Sequence, residues 1–228
     1  MDFQIKRRIY RLCMAILVVN LVFSVLPQID LWASALFYDA DRGFYWAQWP
    51  IAQWAREVIL KLIEGFFIVL LIGVGVTHFV PAVSNRMAPR FELAALIYLF
   101  GPILLVNGLL KTYWGRARPA SVDVFGGGKD FTPPFQIAQE CAENCSFTSG
   151  EGAGVMALFL GVVILRNGFS SKCIWRVVLA VTSGVTLLGL FLRVAMGRHF
   201  LSDTLFSVLF VVLIAALLHA VPRYRGVI

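Results

Sequence analysis

Six long apolar runs constrain the fold of this chain more than any other feature. They span Tyr10–Pro27, Val58–Val80, Phe91–Leu110, Ser149–Leu165, Arg176–Leu192 and Ser202–Val221. Each run is long enough to cross a bilayer core of about 30 Å as a helix. Lipid-exposed strands without closed neighbours would leave backbone groups unpaired, and the alternating pattern of outer-membrane barrels is absent. The sequence therefore predicts an all-α polytopic membrane protein, a bundle of six transmembrane helices in a single domain over residues 1–228.

The composition fits a lipid environment. Hydrophobic residues make up 59% of the chain and charged residues 14%, whereas soluble domains are about a quarter charged. Basic residues are more numerous on the side of the membrane that holds Lys6, Arg8, Arg86 and Arg223. The positive-inside rule then predicts cytoplasmic termini and an outward-facing loop over residues 111–148. The net charge of +7 favours anionic lipids as partners rather than nucleic acid.

The first run also has an alternative interpretation as a signal peptide. It follows basic residues and precedes the small-residue stretch Ala33-Ser34-Ala35. Asp30 and Trp32 match the approach to a cleavage site poorly. Cleavage would leave the predicted orientation of the other five helices unchanged.

Two of the four cysteines, Cys141 and Cys145, lie in the predicted outward loop. In an oxidising compartment they are candidates for a disulfide that tethers the segment before Ser149. Metal ligation is the alternative, but a single cysteine pair without a nearby histidine is a poor zinc site.

A histidine and a carboxylate lie four residues apart in the stretch from Arg193 to Asp203. If that segment is helical, His199 and Asp203 share one face, and the carboxylate holds one ring nitrogen. The other nitrogen is then free to attack an electrophile. Arg193 adds the permanent charge and the planar donors that a phosphate requires. The ordinary alternative is a satisfied pair of residues between two spans.

Two further clusters flank other spans. Lys111 and Arg118 follow the third run. The ordinary interpretation of basic residues at the end of a span is that they contact lipid head groups. Ser149, Gly150 and Glu151 open the fourth run, where a helix start can bind an anion or can simply be an N-cap. The predicted topology brings all three clusters to the same side of the membrane. Their convergence favours a phosphoryl-transfer site.

These residues resemble the signatures of the type 2 phosphatidic acid phosphatases, membrane relatives of the vanadium haloperoxidases and bacterial acid phosphatases. The K-x6-R-P signature is matched by Lys111, Arg118 and Pro119. The S-R-x5-H-x3-D signature is matched by Arg193, His199 and Asp203, with Leu192 in place of its serine. The P-S-G-H signature is matched only at Ser149 and Gly150, since Thr148 replaces proline and Glu151 replaces histidine.

The resemblance implies a mechanism without metal or cofactor. Lys111, Arg118 and Arg193 would bind the phosphate oxygens, and Ser149 with the backbone at Gly150 would add donors. His199 would attack phosphorus to form a phosphohistidine, Asp203 would orient it, and water would release phosphate.

Glu151 has two possible roles at this stage. The family histidine at this position protonates the leaving oxygen, so Glu151 is a candidate substitute general acid. Burial and a bound phosphate would raise its pKa, whereas Arg116 or Lys129 would lower it. The alternative is a structural carboxylate that pairs with an arginine.

The resemblance implies a lipid phosphatase of the bacterial inner membrane, with its active site facing the periplasm. The expected substrate is an anionic lipid phosphate monoester, either a lipid A-like glycolipid or a glycerophospholipid. Alternatives are undecaprenyl pyrophosphate hydrolysis, phosphotransfer to a second lipid, and a non-catalytic anion-binding or transport protein. The sequence does not determine the oligomeric state.

Overall fold

The protein is a bundle of membrane-length helices, described by a computed structural model over residues 3–168 and 171–227. The side chains of residues 81–86 and 167 lie outside this description, and with them Arg86 from the orientation argument. Within these described ranges, five helices are long and apolar enough to cross a membrane. The chain is 75% helical, which confirms the predicted all-α membrane class.

The helices follow the apolar runs. They are α1 (Phe3–Val25), α2 (Gln28–Ala35), α3 (Pro50–Phe79), α4 (Pro81–Tyr98), α5 (Lys111–Tyr113), α6 (Gly150–Ile164), α7 (Lys172–Ala195) and α8 (Leu201–His219). A π-helical stretch, Leu99–Leu110, joins α4 to α5 and contains Pro102. The two short strands β1 (Tyr38–Asp39) and β2 (Gly43–Phe44) pair in the loop between α2 and α3.

The fourth predicted span is shorter than expected. Helix α6 has 15 residues, about 22 Å at 1.5 Å per residue, less than the ~30 Å hydrocarbon core. The count of six membrane-crossing helices is therefore not confirmed. Much of α6 is buried, including Ala153, Val155 and Ala157, because α3, α4, α7 and α8 pack around it.

Small residues allow this close packing around α6. A Cβ on Gly154 would meet the side chain of Ile63, and one on Gly161 would meet Phe66, both on α3. Such contacts are typical of membrane helices, whose association depends on close packing. The N-terminus of α6 consequently lies among the ends of its neighbours, where the candidate site is found.

Candidate active site

A tight turn after α7 brings Arg193 and His199 together. The backbone N–H groups of Arg198 and His199 both donate to the carbonyl of Arg193, at 3.1 Å each. Gly197 has a φ of 64°, and a Cβ there would collide with the ring of Phe44. The six-residue spacing between Arg193 and His199 therefore closes one turn, with both side chains beside the same cavity.

The His199 ring is oriented by a backbone carbonyl. Its Nδ1 lies 2.7 Å from the carbonyl oxygen of Ser146. Because a carbonyl only accepts hydrogen bonds, Nδ1 carries the proton and Nε2 presents its lone pair. This arrangement leaves the lone pair of Nε2 available to a bound group.

Asp203 does not hold the ring in the way that the helical assumption predicted. Helix α8 begins at Leu201, so His199 lies before the helix, and Asp203 Oδ2 is 3.9 Å from Nδ1. The carboxylate instead accepts from the Phe200 N–H at 2.9 Å and from Ser146 Oγ at 2.5 Å. The Asp203 carboxylate thus caps the first turn of α8. Its link to His199 is indirect and runs through Ser146, whose hydroxyl contacts Asp203 and whose carbonyl contacts the ring.

Basic side chains surround His199 in a cavity of about 220 Å³. It is lined by Arg56, Lys111, Arg118, Asn144, Glu151, Arg193, Arg198 and His199. Five cations thus face a single carboxylate. The structure brings the predicted residues Lys111, Arg118, Glu151, Arg193 and His199 together, and adds Arg56 and Arg198.

Ser149 and Gly150 lie behind this cavity rather than along it. Ser149 is fully buried, and its hydroxyl accepts from the N–H of Gly152 at 3.0 Å, which makes it the N-cap of α6. A Cβ on Gly150 would approach Asn107 and the Lys111 ammonium. These two positions therefore let the start of α6 pack against the lysine.

Glu151 is held between two arginines from other helices. Arg56 on α3 donates to its carboxylate at 2.7 Å, and Arg193 on α7 donates to the same oxygen at 2.8 Å. Neither Arg116 nor Lys129 is its partner. Two guanidinium donors on one oxygen match an ionised carboxylate, so this geometry favours the structural role over the general acid.

Arg116 forms a buried hub that sequence reasoning did not identify. Its guanidinium is fully buried and donates to Asp30 at 2.8 Å, to Asp203 at 2.6 Å and to Ser202 Oγ at 2.9 Å. The ring of Phe200 lies 4.3 Å from the guanidinium carbon. The hub ties α2 and α8 to the loop that carries Arg118. The only sequence signal was an aspartate between two apolar runs.

The loop between α5 and α6 is tied to the site by several contacts. Cys141 and Cys145 form a disulfide. Asn144 between them accepts from Lys111 Nζ at 3.1 Å and, through its carbonyl, from Arg118 at 2.7 Å. In the described part of the chain, no group of three His, Cys, Asp or Glu side chains could hold a metal ion.

The surroundings of His199 favour its neutral form. Burial lowers the pKa of the His199 imidazole well below its usual range, and the charges of Lys111, Arg193 and Arg118 lower it further. Burial also lowers the pKa of the Arg118 guanidinium, with a contribution from Arg198. A neutral imidazole is the form that can attack phosphorus.

An apolar groove of about 370 Å³ adjoins the basic cavity. Its walls come from α3 and the π-helical stretch, including Leu60, Ile63, Phe67 and Ile103. Lys111 and Glu151 line both the groove and the cavity.

Comparison with known families agrees with this arrangement. Residues 92–226, more than half of the chain, match the model of the PAP2 superfamily. The chain belongs to the PAP2 superfamily. The matched region includes the three stretches that carry the resemblance, at Lys111–Pro119, Thr148–Glu151 and Leu192–Asp203.

Similar curated proteins cover most of this PAP2 chain. A lipid A 4'-phosphatase of Rhizobium leguminosarum is 33% identical over 80% of this chain and 82% of its own length. One of Francisella tularensis subsp. novicida is 30% identical over 83% and 84%, and one of Rhizobium etli is 32% identical over 80% and 74%. No solved structure matches the chain. The protein is a bacterial multi-pass membrane lipid phosphatase, a phosphoric monoester hydrolase.

Proposed function

We propose that this PAP2 phosphatase removes a phosphate monoester from a lipid A-like glycolipid through a phosphohistidine on His199. The observation that carries the proposal is that two neighbouring cavities share lining residues. The basic cavity around His199 shares Lys111 and Glu151 with the apolar groove between α3 and the π-helical stretch. A phosphate held in the cavity can therefore belong to a molecule whose acyl chain occupies the groove.

Three of the cations both bind the phosphate and stabilise the transition state. Lys111, Arg118 and Arg193 bind the non-bridging phosphate oxygens and offset the charge that develops during transfer. The pocket also contains Arg56 and Arg198, so it carries an excess of positive charge. This excess suits a dianionic monoester.

In the proposed reaction, Nε2 of His199 forms a bond to phosphorus while the bond to the lipid oxygen breaks, and this oxygen takes a proton from solvent water and leaves as the lipid alcohol. The Ser146 carbonyl keeps the proton on Nδ1, and the charge of Asp203 at 3.9 Å stabilises the imidazolium that results. Water then attacks the phosphohistidine and releases inorganic phosphate. Glu151 acts here as the carboxylate that positions Arg56 and Arg193.

The substrate class rests on the groove and on the relatives. All three similar proteins are named lipid A 4'-phosphatase. The apolar side chains of the groove come mainly from α3 and the π-helical stretch, and Glu64 and Asn107 also line it. We extend this activity to the present chain, with the 4'-phosphate of a lipid A-like glycolipid as the group removed. The basic residues flanking the helices support a periplasmic active site and cytoplasmic termini.

The test compares two lipid phosphate monoesters with a lipid pyrophosphate. Purified protein is given lipid A, phosphatidic acid and undecaprenyl pyrophosphate, and the products are identified by mass spectrometry. We expect loss of one phosphate from lipid A at the highest kcat/KM, and no release by the His199→Ala variant. Preference for phosphatidic acid or undecaprenyl pyrophosphate would overturn the substrate proposal while leaving the phosphatase chemistry intact.

A periplasmic site is tested separately. Single cysteines placed at Val124 and, in another variant, at Arg225 are labelled with a membrane-impermeant maleimide in intact spheroplasts, in a background lacking Cys13 and Cys173. We expect labelling at position 124 alone. Labelling at position 225 alone would show that the protein has the opposite orientation in the membrane.

A further inference from the structure

A second cavity lies at the end of the bundle opposite His199. It has a volume of about 360 Å³ and lies between α1, α6 and α8. His219 at its edge ends the 19-residue helix α8, roughly 28 Å along the helix from its start beside the active site. The cavity therefore has no part in the chemistry proposed above.

The walls of this cavity are apolar and its rim is basic. Ile5, Leu12, Leu160, Val212 and Ala216 contribute apolar surface. Arg8 and Arg11 come from the same face of α1 and are exposed. Neither arginine forms an ion pair with a carboxylate in the described part of the chain.

A buried polar atom at the cavity lacks a partner. The His219 side chain lines the cavity and is only 8% exposed. Its Nε2 has no hydrogen-bond partner among the described residues. Because a buried polar group without a partner is costly, this nitrogen points to a polar group of a ligand.

We propose that this cavity binds an anionic glycerophospholipid of the leaflet that surrounds the N-terminal end of α1. One acyl chain fills the apolar cavity, and the phosphate contacts the guanidiniums of Arg8 and Arg11. His219 Nε2 donates a hydrogen bond to an oxygen of the head group or of the glycerol ester. Anionic lipid is favoured over zwitterionic lipid because the rim has two cations and no paired carboxylate.

Native mass spectrometry tests this proposal. Protein purified in a mild detergent is mixed with phosphatidylglycerol or with phosphatidylcholine of the same acyl chains, and the single-lipid adduct is quantified. We expect selective retention of phosphatidylglycerol. The Arg8→Gln, Arg11→Gln double variant should retain it about a hundredfold less, since each of the two charge-assisted hydrogen bonds contributes on the order of a tenfold change in affinity.

A matched control separates a site from general surface charge. The Lys6→Gln, Arg7→Gln double variant loses the same charge from the same helix, at exposed positions outside the cavity. We expect it to retain phosphatidylglycerol like the unmodified protein. Ala216→Phe, which fills the cavity and keeps both arginines, should also lose the adduct, provided that it elutes as a single species.

Three results would overturn the proposal. Equal retention of phosphatidylcholine would remove the head-group argument. An equal loss in the two double variants would indicate surface charge only. Full retention in a well-folded Ala216→Phe variant would show that the lipid binds elsewhere.

Discussion

Replacing Arg116 by methionine tests the buried hub that underlies the active site. The change keeps a long side chain but removes the charge that pairs with Asp30 and Asp203, both fully buried. Two carboxylates are then left without their common cation. Removing one partner of a buried ion pair typically costs about 3–5 kcal/mol.

The expected loss is measurable as a shift in unfolding temperature. For a chain of about this size, 1 kcal/mol corresponds to roughly 2–4 °C. Arg116→Met should therefore lower the apparent Tm in detergent by roughly 6–20 °C. The assay is a thermal unfolding scan at one fixed rate, monitored by intrinsic tryptophan fluorescence.

Two companion variants make this prediction sharp. Arg223 forms an ion pair with Glu92 at 2.5 Å, but its side chain is 60% exposed, so Arg223→Met should cost only about 0–1 kcal/mol. Adding Asp30→Asn to Arg116→Met should recover part of the loss, because one uncompensated buried charge is removed. Equal Tm shifts for Arg116→Met and Arg223→Met would refute the reasoning.

Four further predictions concern the site and the adjoining groove. Glu151→Gln should lower kcat less than tenfold, because the amide oxygen can still accept from Arg56; a loss of about 10²-fold or more would identify Glu151 as the general acid. Because the pKa of His199 is lowered well below its usual value, the acidic limb of the kcat/KM profile should lie below pH 6.5, and a limb at or above pH 6.5 would contradict the neutral nucleophile. The same shift means that at acidic pH the unfolded state binds more protons than the folded state. The free energy of unfolding should therefore fall as the pH drops below about 6.5, and the control variant His199→Gln should show a flatter pH dependence. Ile103→Trp should raise KM for a long-chain lipid phosphate and leave hydrolysis of a short-chain soluble monoester unchanged, and an equal effect on both would exclude the groove as the acyl site.

The apolar runs predicted most of the helical fold. Some helices are longer than the apolar runs that predicted them. The run Val58–Val80 misses the start of α3 at Pro50, because the first turns of this helix contain polar residues. The spacing of Arg193 and His199 also predicted their shared site. The two residues are brought together by a turn in which backbone N–H groups donate to the Arg193 carbonyl. Residue spacing alone does not reveal this backbone contact.

Other features depend on contacts between distant segments. Arg116 meets Asp30, and Glu151 meets Arg56, across 86 and 95 residues respectively. No local pattern marks such partners, so Glu151 was assigned the wrong neighbours. The helical assumption for His199 failed because α8 begins only at Leu201, two residues after the histidine, where the Asp203 carboxylate accepts a hydrogen bond from the Phe200 N–H.

The most direct test of the account is to identify the phosphorylated residue during turnover. Protein mixed with a lipid phosphate monoester is quenched in alkali, where phosphohistidine survives, digested, and analysed by mass spectrometry. We predict phosphate on His199, lost on acid treatment and absent from the His199→Ala variant. Phosphate on another residue, or full turnover in His199→Ala, would contradict the central claim.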